Sequence, residues 1–131
     1  MPIFGRRLGI LLQNLLSRES SMNIVFHKDV AQGRWFTLSL AEQMGNIGSE
    51  VARAAHWQDK DEKLFQGCVE RALELFDLNL ADARWKGRLR EIARAREVFC
   101  DAVHGGKEYG STLHDLQGYF LPFAIEARRN L

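Results

Sequence analysis

The residue most at odds with its surroundings in this sequence is Arg96. It falls on an apolar stripe with Trp85, Leu89, Ile92, Phe99 and Val103, at spacings that share one face of a helix. A guanidinium is almost never left unpaired among apolar side chains. Candidate partners occur earlier in the chain, where Glu42, Asn46, Glu50 and Arg53 follow one polar edge. Two arrangements are open to this set. Arg96 can bury its aliphatic stem and pair at the rim of the fold. Alternatively, Asn46, Glu50, Arg53 and Arg96 can line a polar cleft that takes a ligand or a partner.

Other side chains with chemical potential are scattered. The four histidines, His27, His56, His104 and His114, lie in separate segments. None has a second histidine at the three- or four-residue spacing that pairs ligands on a helix, and no metal or other cofactor is expected. His56 with Asp59, Asp61 and Glu62 reads as a charged turn. Ser39, Ser49, Ser111 and Thr112 sit at helix starts or on helices, away from any strand–turn–helix elbow. The glycines of Gly45-Asn46-Ile47-Gly48 and around Gly105, Gly106 and Gly110 lack phosphate-loop and dinucleotide spacing. A run of basic residues, Arg84, Lys86, Arg88, Arg90, Arg94 and Arg96, could track phosphates. Glu91, Glu97 and Asp101 interleave with it, as on an ordinary solvated face.

Four helical periodicities must position these residues. The first spans about residues 37–57, with Leu40, Met44, Ile47, Val51 and Ala54 as its stripe and Ser39 and Glu42 at capping-box spacing. Beside that stripe run small residues, Ala41, Gly45, Gly48, Ala52 and Ala55. A mid-helix glycine costs about 1 kcal/mol relative to alanine. Close packing of another helix against Gly45 and Gly48 would offset that cost. The second helix covers about residues 62–76 through Phe65, Cys68, Val69, Ala72, Leu75 and Phe76, with Glu62, Glu70, Arg71 and Glu74 toward water and a turn at 77–80. The third runs over about residues 82–103 and stops at Gly105-Gly106. The fourth runs from Ser111-Thr112 to about Arg129 through Leu113, Leu116, Phe120, Phe123 and Ala127, with a kink expected at Pro122. No strand-like alternation interrupts them. The expected fold is all-α, an antiparallel up-down four-helix bundle.

Whole-chain properties agree with that fold. The 131 residues suffice for one core, and 46% hydrophobic with 27% charged residues is a globular composition. Eighteen basic residues against seventeen acidic ones argue against a dedicated nucleic-acid binder while leaving room for a local patch. Two cysteines, Cys68 and Cys100, both within helical patterns, read as small core thiols in a reducing cytoplasm rather than a disulfide framework. No apolar run approaches the roughly 20 residues of a membrane span.

Residues 1–33 read as an N-terminal extension, irregular or weakly helical, and residues 34–131 as the bundle. Arg6 and Arg7 before Leu8-Gly9-Ile10-Leu11-Leu12 imitate a secretory leader, but Gln13 and Asn14 break the apolar stretch. Met22 offers an alternative start. Without the residues before it, the basic excess of the chain disappears.

The segment from Trp35 through Val51 (WFTLSLAEQMGNIGSEV), together with Arg71-Ala72-Leu73-Glu74-Leu75, Arg96-Glu97-Val98 and Tyr109-Gly110-Ser111-Thr112, resembles a family of small prokaryotic helical-bundle proteins of unassigned activity. The resemblance covers roughly residues 33–129 and implies recurrent polar positions at Asn46, Glu50, Arg53, Arg96 and Glu97. A more distant likeness is to HEPN-type bundles, which include ribonuclease toxins. Their active members resemble one another in an Arg followed by His after four to six residues. Arg96 and His104 are separated by seven, a departure that puts nuclease activity in doubt.

The expected function is therefore a non-enzymatic, cytoplasmic binding or interaction module. Its first expected partner is a second copy of itself, in a homodimer, and its second is another protein. Self-association is expected from the small-residue stripe and from Trp35, Trp57 and Trp85, more indole than one small core readily absorbs. The alternative is a HEPN-like RNA-directed nuclease or toxin–antitoxin component with Arg96 and His104 as its active pair.

Overall fold

A computed structural model describes residues 33–129 of the chain. The expectations placed on residues 1–32, including the choice of Met22 as the start, lie outside the described residues. Among the described residues there are four α-helices: α1 (Leu40–Trp57), α2 (Glu62–Ala81), α3 (Leu89–Val103) and α4 (Leu113–Arg129). Short 3-10 helices at Trp35–Thr37 and Ala83–Arg88 precede α1 and α3, and no strand occurs among the described residues.

Local chemistry sets the helix starts. The Ser39 hydroxyl accepts the Glu42 amide at 3.1 Å while the Glu42 carboxylate accepts the Ser39 amide at 2.9 Å, the capping box expected from the spacing. Asp61 caps α2 by accepting the Leu64 amide. Thr112 and Asp115 repeat the reciprocal arrangement at α4. Pro122 lies inside α4, and the helix continues through it.

The predicted stripes supply the core, except that Leu89, expected on the third stripe, is exposed. Met44, Ile47, Val51, Phe65, Ala72, Phe76, Ile92, Phe99, Leu113 and Phe120 are all buried. Phe76 of α2 is the hub, with its ring centroid 5.8 Å from Phe99 of α3 and 6.1 Å from Phe120 of α4. Such offset and edge-on aromatic pairs add about 0.5–1.5 kcal/mol each beyond area burial. The α1–α4 and α1–α2 contacts are the most extensive in the fold. Trp35 is buried in the core, and Trp57 and Trp85 pack against it part-buried. One core thus absorbs all three indoles.

Three boundaries or faces differ from expectation. Helix α2 continues through 77–80 to Ala81, where the sequence suggested a turn. The third helical segment is broken: Asp82 accepts the Arg84 amide to start a 3-10 turn, and Trp85 leaves helical geometry at φ −99° and ψ 23° before α3 begins at Leu89. Glu74, expected toward water, is buried at 5% exposure.

Candidate functional site

The polar edge of α1 opens onto a cleft of about 610 Å³. Leu38, Gly45, Leu75, Ala124 and Ala127 give it apolar lining, and Arg34, Glu42, Asn46, Glu50, Arg53 and Arg128 give it polar and charged lining. Three of the four expected cleft residues, Asn46, Glu50 and Arg53, are therefore brought together. They occupy every fourth, then third, position of α1, so one face of that helix suffices to align them.

Each carboxylate here already has work. Glu50 is nearly buried and accepts from Arg53 Nη1 at 2.5 Å on its own helix and from Arg71 Nε at 3.2 Å across on α2. The Ser39 amide, followed by its hydroxyl, holds the Glu42 carboxyl below the usual range. The cleft residues Arg34 and Arg128 come from opposite ends of the described chain and form no ion pair among the described residues.

The fourth expected member does not join the cleft. Arg96 is fully buried, and its guanidinium faces Asp77 of α2, with Nε 3.0 Å from Oδ1 and Nη2 3.5 Å from Oδ2. Neither Glu50 nor Glu42 is its partner, and its head is in the interior rather than at a wet rim. The reason is the extra length of α2, which carries Asp77 on a helix where a turn was expected. His104 sits exposed at the C-terminal end of α3. The structure thus gives the alternative nuclease pair opposite environments, one side chain sealed on a carboxylate and the other in solvent.

A second polar cluster was missed altogether. Gln43 of α1 is fully buried; its amide nitrogen donates to the Trp35 carbonyl at 2.9 Å and to Asp82 Oδ2 at 3.0 Å. Its amide oxygen accepts from Asn79 Nδ2 at 2.5 Å and Trp85 Nε1 at 2.8 Å. Arg84 then grips both Asp82 oxygens and the Leu38 carbonyl, with its guanidinium 4.4 Å from the Trp85 ring centre. One amide ties the turn before α1 to the end of α2 and the start of the third segment. The only sequence signal was an uncharged polar residue beside an apolar stripe.

The glycine pair faces α4. A Cβ on Gly48 would lie 2.6 Å from Phe120 Cβ, whereas one on Gly45 would lie 3.5 Å from the Ala124 Cα. The close approach expected from the small-residue stripe is therefore made within one chain, and Gly48 alone demands it. Alongside runs an open groove of about 560 Å³ lined by Gly48, Ser49, Ala52, Gly118 and Leu121. A third, smaller recess between α3 and α4, about 340 Å³, includes Glu91 and Tyr119. Burial, reinforced by the neighbouring Glu91 charge, pushes the Tyr119 phenol up to about 12, so it stays a donor to Glu91 at 3.3 Å.

Among the described residues no group of three His, Cys, Asp or Glu side chains could hold a metal ion, and no helix is long and apolar enough to cross a membrane. No protein-family model, curated protein or solved structure matches the chain.

Proposed function

We propose that this chain is a non-enzymatic, cytoplasmic interaction module, an antiparallel up-down four-helix bundle that self-associates through the outer face of α4. The order of the α1–α4 contacts supports the antiparallel arrangement, because Gly45 meets Ala124 while the later Gly48 meets the earlier Phe120. The two free thiols, Cys68 and Cys100, both buried, support a reducing compartment.

The observation that carries self-association is the exposure of Leu121 at 57% and Ile125 at 52%, one turn apart on α4. The features expected to drive it, the small-residue stripe and the tryptophans, are satisfied inside the monomer, so the dimer face moves to α4. A two-fold axis near Pro122 makes that face self-complementary. Asp115 and Arg129 lie equally far on either side of Pro122, so each acid opposes the partner's base. Gly118, with open space where a side chain would stand, receives Ile125 of the second copy. Isologous pairing of this kind is the commonest form of homo-oligomer.

Sedimentation equilibrium on the 131-residue chain tests the reading. A dimer that the double variant Leu121→Glu/Ile125→Glu converts to a folded monomer is the expected result. A wild-type chain that stays monomeric into the high micromolar range overturns it. The HEPN-like alternative is the less supported reading, because its arginine is sealed against Asp77.

A further inference from the structure

The charged cleft between the turn before α1, α1 itself and the end of α4 is not used by the α4 dimer face just described, apart from its edge at Arg128. We propose that this cleft binds a small organic anion, a carboxylate or phosphate monoester carrying an apolar body. The volume, about 610 Å³, falls among those of small-molecule sites, about 300–1,000 Å³. Such sites pair a mostly apolar wall with a few convergent polar groups. Here Leu38, Leu75 and Ala124 supply the wall.

Charge decides which ligand fits. The Glu50 carboxylate is held by Arg53 and Arg71, and the Glu42 carboxylate accepts the Ser39 backbone amide. The carboxylates are therefore satisfied from within. Arg34 and Arg128, drawn from opposite ends of the described chain to the same cleft, make no close ion pair among the described residues, and Arg34 acts on Glu42 only through its charge, as the last and smallest influence on that carboxyl. Their guanidiniums match carboxylate and phosphate oxygens in a bidentate geometry that an ammonium does not offer.

An unused donor points the same way. Trp35 lines this cleft at 1% exposure, and its indole N–H has no acceptor among the described residues. Buried donors are almost always satisfied, so the unpaired indole N–H of a residue that lines the cleft leaves a donor for an acceptor from outside the chain. Asn46, exposed, adds an amide to the lining of the same cleft. A cationic ligand would be repelled by both guanidiniums, and a neutral one would forgo their charge.

This inference rests on the binding-module reading but not on self-association, and the two can fail separately. Phenyl phosphate, benzoate, inorganic phosphate and the neutral control phenol are titrated into the full chain by calorimetry, alongside sedimentation. The expected result is saturable one-to-one binding of phenyl phosphate or benzoate, weakened by salt, with no binding of phenol. The double variant Arg34→Ala/Arg128→Ala should weaken it about tenfold or more, at unchanged unliganded melting temperature and unchanged mass. Binding that survives in the Leu121→Glu/Ile125→Glu monomer would uphold the cleft even if the dimer fails. No saturable binding of either aromatic anion, binding indifferent to the arginine substitutions, or an equal response to inorganic phosphate alone would overturn the proposal.

Discussion

Gly48 and Phe120 stand so close that a Cβ added to the glycine would come within 2.6 Å of the phenylalanine Cβ. That atom is next to the α4 backbone and cannot swing aside as the end of a long side chain can. Phe120 is in turn fixed by Phe76 at its other side. Replacing Gly48 by alanine gains up to about 1 kcal/mol of helix propensity. It also overpacks the α1–α4 seam, which costs about 1–3 kcal/mol. We expect a net loss of about 1–2 kcal/mol for Gly48→Ala, read as a lower urea midpoint at constant slope. An unchanged midpoint would mean that α4 moves away without cost.

Gly45 makes the internal control. Its added Cβ would meet Ala124 at 3.5 Å, ordinary van der Waals contact. Gly45→Ala should therefore keep most of the propensity gain and stabilise the chain by up to about 1 kcal/mol. The two glycines are three residues apart in one helix, so opposite signs at 45 and 48 would isolate the α4 contact from any general effect of α1.

The pairing of Arg96 with Asp77 leads to a large expected effect. Arg96 is fully buried, whereas the Asp77 side chain is 14% exposed. Removing one partner of a buried pair costs about 3–5 kcal/mol, while replacing both by apolar or neutral groups of similar volume is often nearly neutral. Arg96→Ala should thus unfold much more readily than the double variant Arg96→Met/Asp77→Asn. Equal losses in the two variants would show that the attraction of the pair itself, which both remove, holds α2 to α3, and not the avoidance of a stranded Asp77 charge.

How much of this was legible beforehand differs between the helices. The Ser39–Glu42 capping box and the Met44–Ile47–Val51 stripe depend on residues a few positions apart, and local chemistry decides them. The end of α2 does not work that way. Asp77 and Asn79 are weak helix formers, and a sequence reading stops the helix there. In the fold, Arg96 holds Asp77 and Gln43 holds Asn79, so partners from α3 and α1 keep the last turns helical. The misplaced boundary then hid the partner of Arg96. Similarly, Asn46, Glu50 and Arg53 share a face by spacing alone, but Arg34 and Arg128 reach their cleft only through the packing of α4 on α1. The small-residue stripe was visible; which surface would cover it was not, because a glycine seam looks the same whether it faces α4 or a second chain.

Gln43 connects three segments through one side chain, so its loss should exceed that of an ordinary buried amide. Truncation to alanine leaves the Trp35 carbonyl, the Asn79 amide and the Trp85 indole N–H without the bonds they now make. Each buried group stranded in this way costs about 1–3 kcal/mol. We expect Gln43→Ala to destabilise by about 3 kcal/mol or more. It should also change the fluorescence of Trp85, whose indole N–H reaches the amide directly. A loss under about 1 kcal/mol would mean that water replaces the amide.

Asp82 gives the fold a defined acid limit. The Arg84 guanidinium, aided by the Gln43 amide, holds its carboxyl down from 3.8 to about 2. A carboxyl depressed in the folded state binds its proton more readily when unfolded. The stability contributed by this charge is therefore fully present above about pH 4 and is lost as pH falls through about 2. In Asp82→Asn the charge is absent at every pH, and the amide meets Gln43 with a donor or Arg84 with one fewer acceptor. The wild-type chain should melt higher than this variant at pH 7, hold that advantage down to about pH 5, and lose most of it by pH 2. Melting curves for both proteins across that range supply the measurement. A gap that stays constant to pH 2 would assign the difference to hydrogen-bond geometry alone and remove Asp82 as the source of the acid transition.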